Sequence, residues 1–337
     1  MSARDQFLTL MKQDKIIFRI ICLWLACHVI PVPTVYGAPA QSTILAVDVI
    51  LSEDKKEYRS VYASLSEYLQ SSSGNNIRLL VYVGDDYVSQ HSRSAAKADL
   101  LVTIGTRAAK IAARTREATP VLSVFIPKDN FEKIWHDSDR SISAIVIDQP
   151  INRFVELLAI ILDKGDKVGV FSPRENSQSE LESSLKRSGL ALQVEHVDAS
   201  LTAKNITRLI NNSDIILVLP DKSVISPQRS KWLLYMAYRE QKPVIAFSSS
   251  YVKSGALAAI YTTPETIGKL TALRILEIKE SPLSVSEAVA LAQTITFPDD
   301  FSINTNKQVV TNLGIKLPED ETLKKEIFRN IWQDSHK

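Results

Sequence analysis

The residues of this chain that could do chemistry are polar side chains placed directly after buried apolar runs. The clearest run is Asp99 to Ile104, which Gly105 ends before an alanine-rich segment that predicts a helix. The first amide groups of a helix have no partner inside it, so a strand that leads into a helix creates an anion-binding junction. Thr106 and Arg107 stand at this junction, and we expect them to contact a ligand.

Comparable polar residues follow the other predicted strands. Ligands of open parallel sheets bind beyond the carboxyl ends of the strands, so these side chains are candidates as a set. Hydroxyls and helix N-termini suit a carboxylate, aspartates suit an ammonium group, and Phe125 suits an apolar side chain. Each residue could equally cap a helix or close a turn. The candidate ligand-binding residues are Thr106, Arg107, Phe125, Asp148, Gln149, Asn176, Asp221, Ser248 and Ser249.

Motifs of catalysis, cofactor binding and metal binding are missing from the sequence. It contains no glycine-rich dinucleotide turn after the first predicted strand, no P-loop and no serine nucleophile elbow. The histidines are not at metal-ligand spacing from one another, and His136 and His196 are most simply a surface residue and a strand-end residue. We therefore expect no catalytic residue, no metal and no cofactor, and an α/β enzyme is the disfavoured hypothesis.

The composition is that of an ordinary soluble protein, with 45% hydrophobic and 23% charged residues and a formal net charge of +2. Nucleic-acid-binding domains usually carry a clustered basic face, and the sequence has no Lys/Arg block of that size. Nucleic acid is therefore not an expected partner. The length of 337 residues suggests two core-forming domains.

The first forty residues have the features of an export signal. Basic residues precede the apolar run Ile20 to Ile30, and Ala38-Pro39-Ala40 supplies the small-x-small pattern of a cleavage site. We expect a signal peptide over residues 1–40 and a periplasmic location, with a retained membrane anchor as the alternative. Both cysteines, Cys22 and Cys27, lie in this leader, so the mature chain would have no disulfide and no thiolate site.

Strand and helix patterns alternate along the rest of the chain, and the alternation restarts after Asp148-Gln149-Pro150. Two successive parallel sheets are expected, which predicts an α/β fold of two doubly wound lobes. The predicted strands are Thr43–Leu51, Ile77–Val83, Asp99–Ile104, Val121–Pro127 and Ile142–Ile147, followed by Lys167–Phe171, Leu192–Val197, Asp214–Leu219 and Val244–Phe247.

Several segments match, in order and spacing, the motifs of one transport family. They are Asp99 to Thr106 with Ala108-Ala109, Thr119-Pro120-Val121, Ser172 to Ser177, Leu219-Pro220-Asp221, Lys253-Ser254-Gly255-Ala256-Leu257-Ala258, Thr263 to Gly268, and Phe301 to Asn304 with Leu313-Gly314-Ile315 and Leu317-Pro318. This series resembles the ABC-transporter substrate-binding family that includes tryptophan- and tyrosine-binding members. The resemblance covers nearly all of the chain after residue 40, although Arg107 stands where the family usually has proline.

The resemblance implies a type I periplasmic-binding fold, with two parallel-sheet lobes joined by a hinge and a ligand cleft between them. We expect residues 41–148 in lobe 1, with 253–280 returning to it, and residues 149–252 in lobe 2, with 281–337 returning to it. Hinge residues are expected at Asp148-Gln149-Pro150 and at Ser248-Ser249-Ser250.

Two functions are compatible with this fold. The first is an exported solute-binding protein that delivers a small polar or amino-acid-like ligand to an ABC permease in the inner membrane. Thr106 and Arg107 would then receive an anionic group, and Asp221 a cationic one. The second is a periplasmic ligand-sensing or interaction module that partners a sensor kinase or an envelope complex, because one fold can serve both roles.

Overall fold

The structure is a computed structural model that describes residues 44–72, 76–91, 97–115, 117–173, 178–197, 202–220, 226–292 and 294–334. The expected signal peptide and the candidates Asn176 and Asp221 lie outside these residues. Ile44–Lys337 forms one compact unit. Within the described ranges, each helix is too short or too polar to cross a lipid bilayer.

The strands and helices alternate along most of the chain. The strands are β1 (Leu45–Leu51), β2 (Ile77–Val83), β3 (Leu100–Ile104), β4 (Val121–Ile126), β5 (Ile142–Val146), β6 (Lys167–Ser172), β7 (Ala191–His196), β8 (Ile215–Leu217), β9 (Val244–Ala246), β10 (Ala258–Tyr261), β11 (Ile295–Thr296) and β12 (Ser302–Thr305). The helices are α1 (Lys56–Ser72), α2 (Asp86–His91), α3 (Thr106–Arg114), α4 (Lys128–Trp135), α5 (Ile151–Ile161), α6 (Ser179–Arg187), α7 (Ala203–Asn211), α8 (Pro227–Arg239), α9 (Ser249–Lys253), α10 (Pro264–Glu280), α11 (Val285–Leu291), α12 (Lys307–Asn312) and α13 (Asp320–Asp334).

The first sheet has the strand order β2-β1-β3-β4-β5-β11, and all its pairings are parallel. Every residue of β1 and β3 is buried, because helices cover both faces of the sheet. Helix α10 packs against α1 and contributes Ile267, Ala272, Ile275 and Ile278 to the core of this sheet. The polypeptide thus returns to the first sheet after leaving it.

The second sheet has the order β7-β6-β8-β9-β10-β12, with β12 antiparallel to β10 and the other pairs parallel. Helices α5 and α13 cover one face, where Leu157, Leu158, Leu323 and Ile327 join the buried core. Two sheets of mostly parallel strands with interleaved helices confirm the predicted α/β fold class, and each predicted strand agrees with the structure to within two residues at either end.

The strand pairing differs from the expected division of the chain in two places. Strand β10 pairs with β9 and β12, so residues 253–263 remain with the second sheet and only α10 returns to the first. Strand β11 pairs with β5, and Val289 of α11 lies in the core of the first sheet, so Val285–Leu291 and Ile295–Thr296 also belong to the first sheet. A two-residue strand carries too little periodicity to be found from sequence.

Three segments of the described chain pass between the sheets, at residues 147–150, 262–263 and 297–301. The first contains the expected hinge Asp148-Gln149-Pro150. The second expected hinge, Ser248-Ser249-Ser250, is wrong as a crossing, because it leads from β9 into the start of α9, and the next strand, β10, stays in the same sheet.

Candidate functional site

The N-terminus of α3 lies at the carboxyl edge of the first sheet, directly after β3. Gly105 makes the turn with φ 91° and ψ 171°, a conformation that only glycine adopts readily. Ser52, which follows β1 in the neighbouring position, is buried, and its Oγ accepts a hydrogen bond from the Ala108 amide at 3.0 Å. One amide of the helix N-terminus is therefore already satisfied by the protein itself.

The hydroxyl of Thr106 and the guanidinium of Arg107 stand beside the helix start. Thr106 Oγ1 accepts a hydrogen bond from Asn130 Nδ2 at 3.3 Å. Arg107 Nη2 lies 2.6 Å from Asp85 Oδ2, in the segment that follows β2, and the two side chains are 54% and 68% exposed. Because solvent screens such an exposed pair, the guanidinium can exchange Asp85 for another anion at little cost.

Phe125 places an aromatic ring next to this helix N-terminus. Its φ of 53° is unusual for a residue other than glycine, and the β4–β5 register shifts between Val124 and Ile126 on either side of it. The ring packs edge to face on Tyr58, with centroids 5.8 Å apart. Phe125 is half-buried between two buried strand residues. Backbone strain of this kind clusters at functional sites, and a register shift re-aims a side chain. The edge thus combines an aromatic surface with an anion-binding junction.

Asp148 and Gln149 hold protein groups in this structure. Asp148 Oδ2 accepts the Lys128 amide at 2.7 Å and so caps α4, while burial raises the pKa of the carboxyl. Gln149 Nε2 donates to Thr262 Oγ1 at 2.8 Å, and Gln149 Oε1 accepts from Arg153 Nη1 at 2.7 Å. Both residues therefore serve the crossing between the sheets, and their contact with a ligand stays a prediction.

At the second sheet, Ser248 and Ser249 lie at the carboxyl edge, where Ser248 precedes α9 and Ser249 is its first residue. Ser248 Oγ is 2.7 Å from Ser250 Oγ, and the Ser249 side chain hydrogen-bonds the Tyr261 hydroxyl. Behind them, Tyr251 packs on Phe247 with centroids 5.2 Å apart. This edge also offers hydroxyls beside aromatic rings.

The structure brings Thr106, Arg107 and Phe125 together at the carboxyl edge of the first sheet, and Ser248 and Ser249 at the carboxyl edge of the second sheet. Neighbouring residues that the sequence reasoning did not select are Ser52, Tyr58, Asp85 and Asn130. The strand-end rule applied to β1 and β2 would have found Ser52 and Asp85. Tyr58 gave no such signal, because it is part of the apolar stripe of α1. Across the described ranges, no three His, Cys, Asp or Glu side chains are grouped as metal ligands.

Comparisons with known proteins agree with this architecture. A family model described as "ABC transporter substrate binding protein" matches residues 84–326. No curated protein matches the chain. Similar solved structures include an ABC domain in complex with L-Trp from Streptococcus pneumonia, with 19% identity, a TM-score of 0.54, and coverage of 83% of this chain and 98% of that one.

Two further structures share the fold. A conserved domain protein from Vibrio cholerae has 19% identity and a TM-score of 0.55, and the match covers 84% of this chain and 98% of that chain. The ligand-free, open form of a substrate binding protein with adhesive properties from Clostridium difficile has 18% identity and a TM-score of 0.62, with coverage of 82% and 97%. Because the family model spans most of the sequence, the chain belongs to the ABC transporter substrate binding protein family.

Proposed function

We propose that this chain is the exported solute-binding component of an ABC transport system and binds a small polar or amino-acid-like ligand between its two sheets. The observation that supports this most directly is the α3 N-terminus, where Thr106, Arg107 and the Tyr58–Phe125 pair meet at one sheet edge. An anionic group beside an apolar group is the chemistry that such an edge can hold.

The proposed ligand places its carboxylate at the start of α3. The amides of Thr106 and Arg107 precede the first intrahelical hydrogen bonds, so both point their N–H groups out of the helix. The Thr106 hydroxyl and the Arg107 guanidinium add two more donors. The Ser52 hydroxyl, which already holds the Ala108 amide, keeps this end of the helix fixed against β1. The site is thus organised before the ligand arrives.

The apolar part of the ligand then lies against Tyr58 and Phe125, and its ammonium group faces the second sheet. There, Ser248 and Ser249 supply hydroxyl acceptors, and Asn176 and Asp221 remain proposed contacts outside the described residues. The similar domain from Streptococcus pneumonia, in complex with L-Trp, supports an amino-acid-like ligand with an aromatic side chain.

A thermal-shift screen of the purified chain against single amino acids, short peptides and nucleotides tests this proposal. We expect one ligand class to raise the melting temperature, and Arg107→Ala to weaken its binding about tenfold, since a hydrogen bond to a charged group contributes about 1.5 kcal/mol or more. Arg208→Ala is the control for loss of an exposed guanidinium, because Arg208 is 53% exposed and pairs at 2.7 Å with Glu195 on the second sheet, a carboxylate that is only 8% exposed and also accepts a hydrogen bond from Asn205 Nδ2. A folded protein that responds to no member of the panel would contradict the proposal.

A second role, as a sensing or interaction module, is favoured by one exposed surface. Helix α8 presents Trp232, Tyr235 and Tyr238 to solvent, with exposed fractions of 37%, 58% and 67%. Aromatic side chains are enriched in protein–protein interfaces. Uptake of the identified ligand in a strain that lacks this chain separates the two roles. Transport requires that uptake is lost, whereas sensing through a kinase or an envelope complex requires that uptake persists.

A further inference from the structure

The three segments that cross between the sheets meet around one buried arginine. Arg153 lies in the first turn of α5 and is only 7% exposed. Its Nη1 donates to Gln149 Oε1 at 2.7 Å in the first crossing. Its Nη2 donates to the carbonyl oxygens of Pro298 and Asp299, at 2.8 and 3.0 Å, in the third crossing. The guanidinium also stacks 4.5 Å from the centre of the Phe301 ring.

The second crossing is joined to the same network through Thr262, which is also buried. Thr262 Oγ1 accepts a hydrogen bond from Gln149 Nε2 at 2.8 Å and donates one to the Asp300 carbonyl at 3.2 Å. The Asp300 carboxylate is directed elsewhere and pairs with Lys324 at 2.6 Å. A continuous path of hydrogen bonds therefore links all three crossings.

The partners of the Arg153 guanidinium are neutral oxygens and an aromatic face, not a carboxylate. Desolvation lowers the pKa of this guanidinium to about 10, against the attraction of the Asp299 and Asp300 carboxylates, which are near it but do not hydrogen-bond it. The buried charge therefore depends on its hydrogen bonds to neutral oxygens. Any movement of one crossing relative to another leaves a charged donor unsatisfied in a water-poor site. The N–H donors of a guanidinium lie in one rigid plane, so they also fix the orientation of the crossing segments that accept from them. The ammonium group of a lysine would not impose this orientation.

We propose that Arg153 is a positioning residue that clamps the three crossings into a single hinge, so that the two sheets turn about one axis instead of moving independently. The effect of this clamp on ligand affinity rests on the proposed function. A ligand that binds between the sheets binds more weakly when the ligand-free chain samples a broader set of sheet arrangements. Arg153 acts through Gln149 and Thr262 and takes no part in contacting the ligand.

The distance distribution between the two sheets, measured by pulsed electron resonance without any ligand, tests the clamp. The spin labels are attached to cysteines introduced by Lys110→Cys on α3 and Lys204→Cys on α7, both exposed positions. The full chain also carries Cys22→Ser and Cys27→Ser, so that only the introduced cysteines are labelled. We expect Arg153→Met to broaden the distribution about twofold, since the crossings then sample more arrangements. Thr262→Val, which removes the linking hydroxyl at nearly constant volume, broadens it in the same direction and decides the question if Arg153→Met fails to fold.

Arg140→Met is the control for loss of a half-buried guanidinium that also donates to backbone carbonyls and faces an aromatic ring. Arg140 Nε and Nη1 donate to the carbonyls of Thr119 and Ala112 at 3.0 Å, and its guanidinium faces Trp135, all within the first sheet and its helices. Arg140→Met should lower stability and leave the width of the inter-sheet distance distribution unchanged. The clamp would be overturned if Arg153→Met and Thr262→Val both gave distributions as narrow as that of the unsubstituted chain. A failed ligand screen with broadened distributions would instead refute the proposed function alone.

Discussion

Replacing Gly105 with alanine perturbs the sheet edge at the point where it is most tightly packed. A Cβ atom at Gly105 would lie 2.6 Å from both Ser52 Oγ and Tyr58 Cε1, well inside the normal contact distance of about 3.5–4.0 Å. Both neighbours are held in place, since Ser52 accepts the Ala108 amide and Tyr58 packs on Phe125. The added methyl group therefore cannot be accommodated by a simple rotation of one side chain.

The expected cost has two parts that can be measured separately. The φ of +91° costs an alanine about 1–3 kcal/mol of stability. Displacing Ser52 and Tyr58 costs about 1–3 kcal/mol more, with about 1 kcal/mol for the disturbed hydrogen bond to Ala108. Gly165 and Gly255 are controls matched in φ, with values of +96° and +112°, and the space around each is open. Alanine at either control position carries only the backbone cost.

Urea denaturation followed by far-ultraviolet circular dichroism measures the difference. We expect the free energy of unfolding of Gly105→Ala to fall about 2–4 kcal/mol further than that of Gly165→Ala or Gly255→Ala. Adding Ser52→Ala should recover part of the loss, because one of the two close contacts disappears. Equal losses at the three glycines, within about 0.5 kcal/mol, would refute the argument that Ser52 and Tyr58 require the absence of a side chain at Gly105.

Three more substitutions have expected outcomes. Gly268→Ala gains about 1 kcal/mol of helix propensity, but its Cβ would lie 2.4 Å from the Val61 carbonyl oxygen. Calorimetry should therefore show a lower melting temperature, and a higher one would show that this close contact does not limit stability. Phe125→Gly should be about 1 kcal/mol more stable to urea than Phe125→Ala, because both variants lose the Tyr58 contact and only glycine relieves the positive φ. The reverse order of stability would show that the positive φ at this position does not destabilise the fold. Burial raises the pKa of Asp148 above its value in the unfolded chain. In the pH window between these two pKa values, the folded chain keeps a proton that the unfolded chain has released, so the contribution of this group to stability falls as pH rises. Asp148→Asn should therefore gain in stability relative to the unsubstituted chain as pH increases through this window, which urea titrations at several pH values would measure, and a pH-independent difference would count against the shift.

Local sequence was enough to predict most of the sheet strands. Buried parallel strands are short continuous apolar runs, and β1, β3 and β4 show this pattern without any knowledge of their neighbours. The rule that ligands bind at the carboxyl ends of such strands then selected Thr106, Arg107 and Phe125, which the structure does place on one edge. These features depend on residues close to one another in the chain.

The route of the chain between the sheets was decided only by tertiary structure. Strand β11 has two residues, and its membership of the first sheet depends on pairing with β5, about 150 residues earlier. Arg153 looks like an ordinary surface residue of an amphipathic helix, yet it meets carbonyl groups 145 and 146 positions away. The Tyr58–Phe125 pair likewise joins a helix to a strained strand end. Periodicity and local propensity report on neighbours in sequence, whereas a hinge and a ligand-facing edge are made by contacts between distant segments, and only the folded chain brings those segments together.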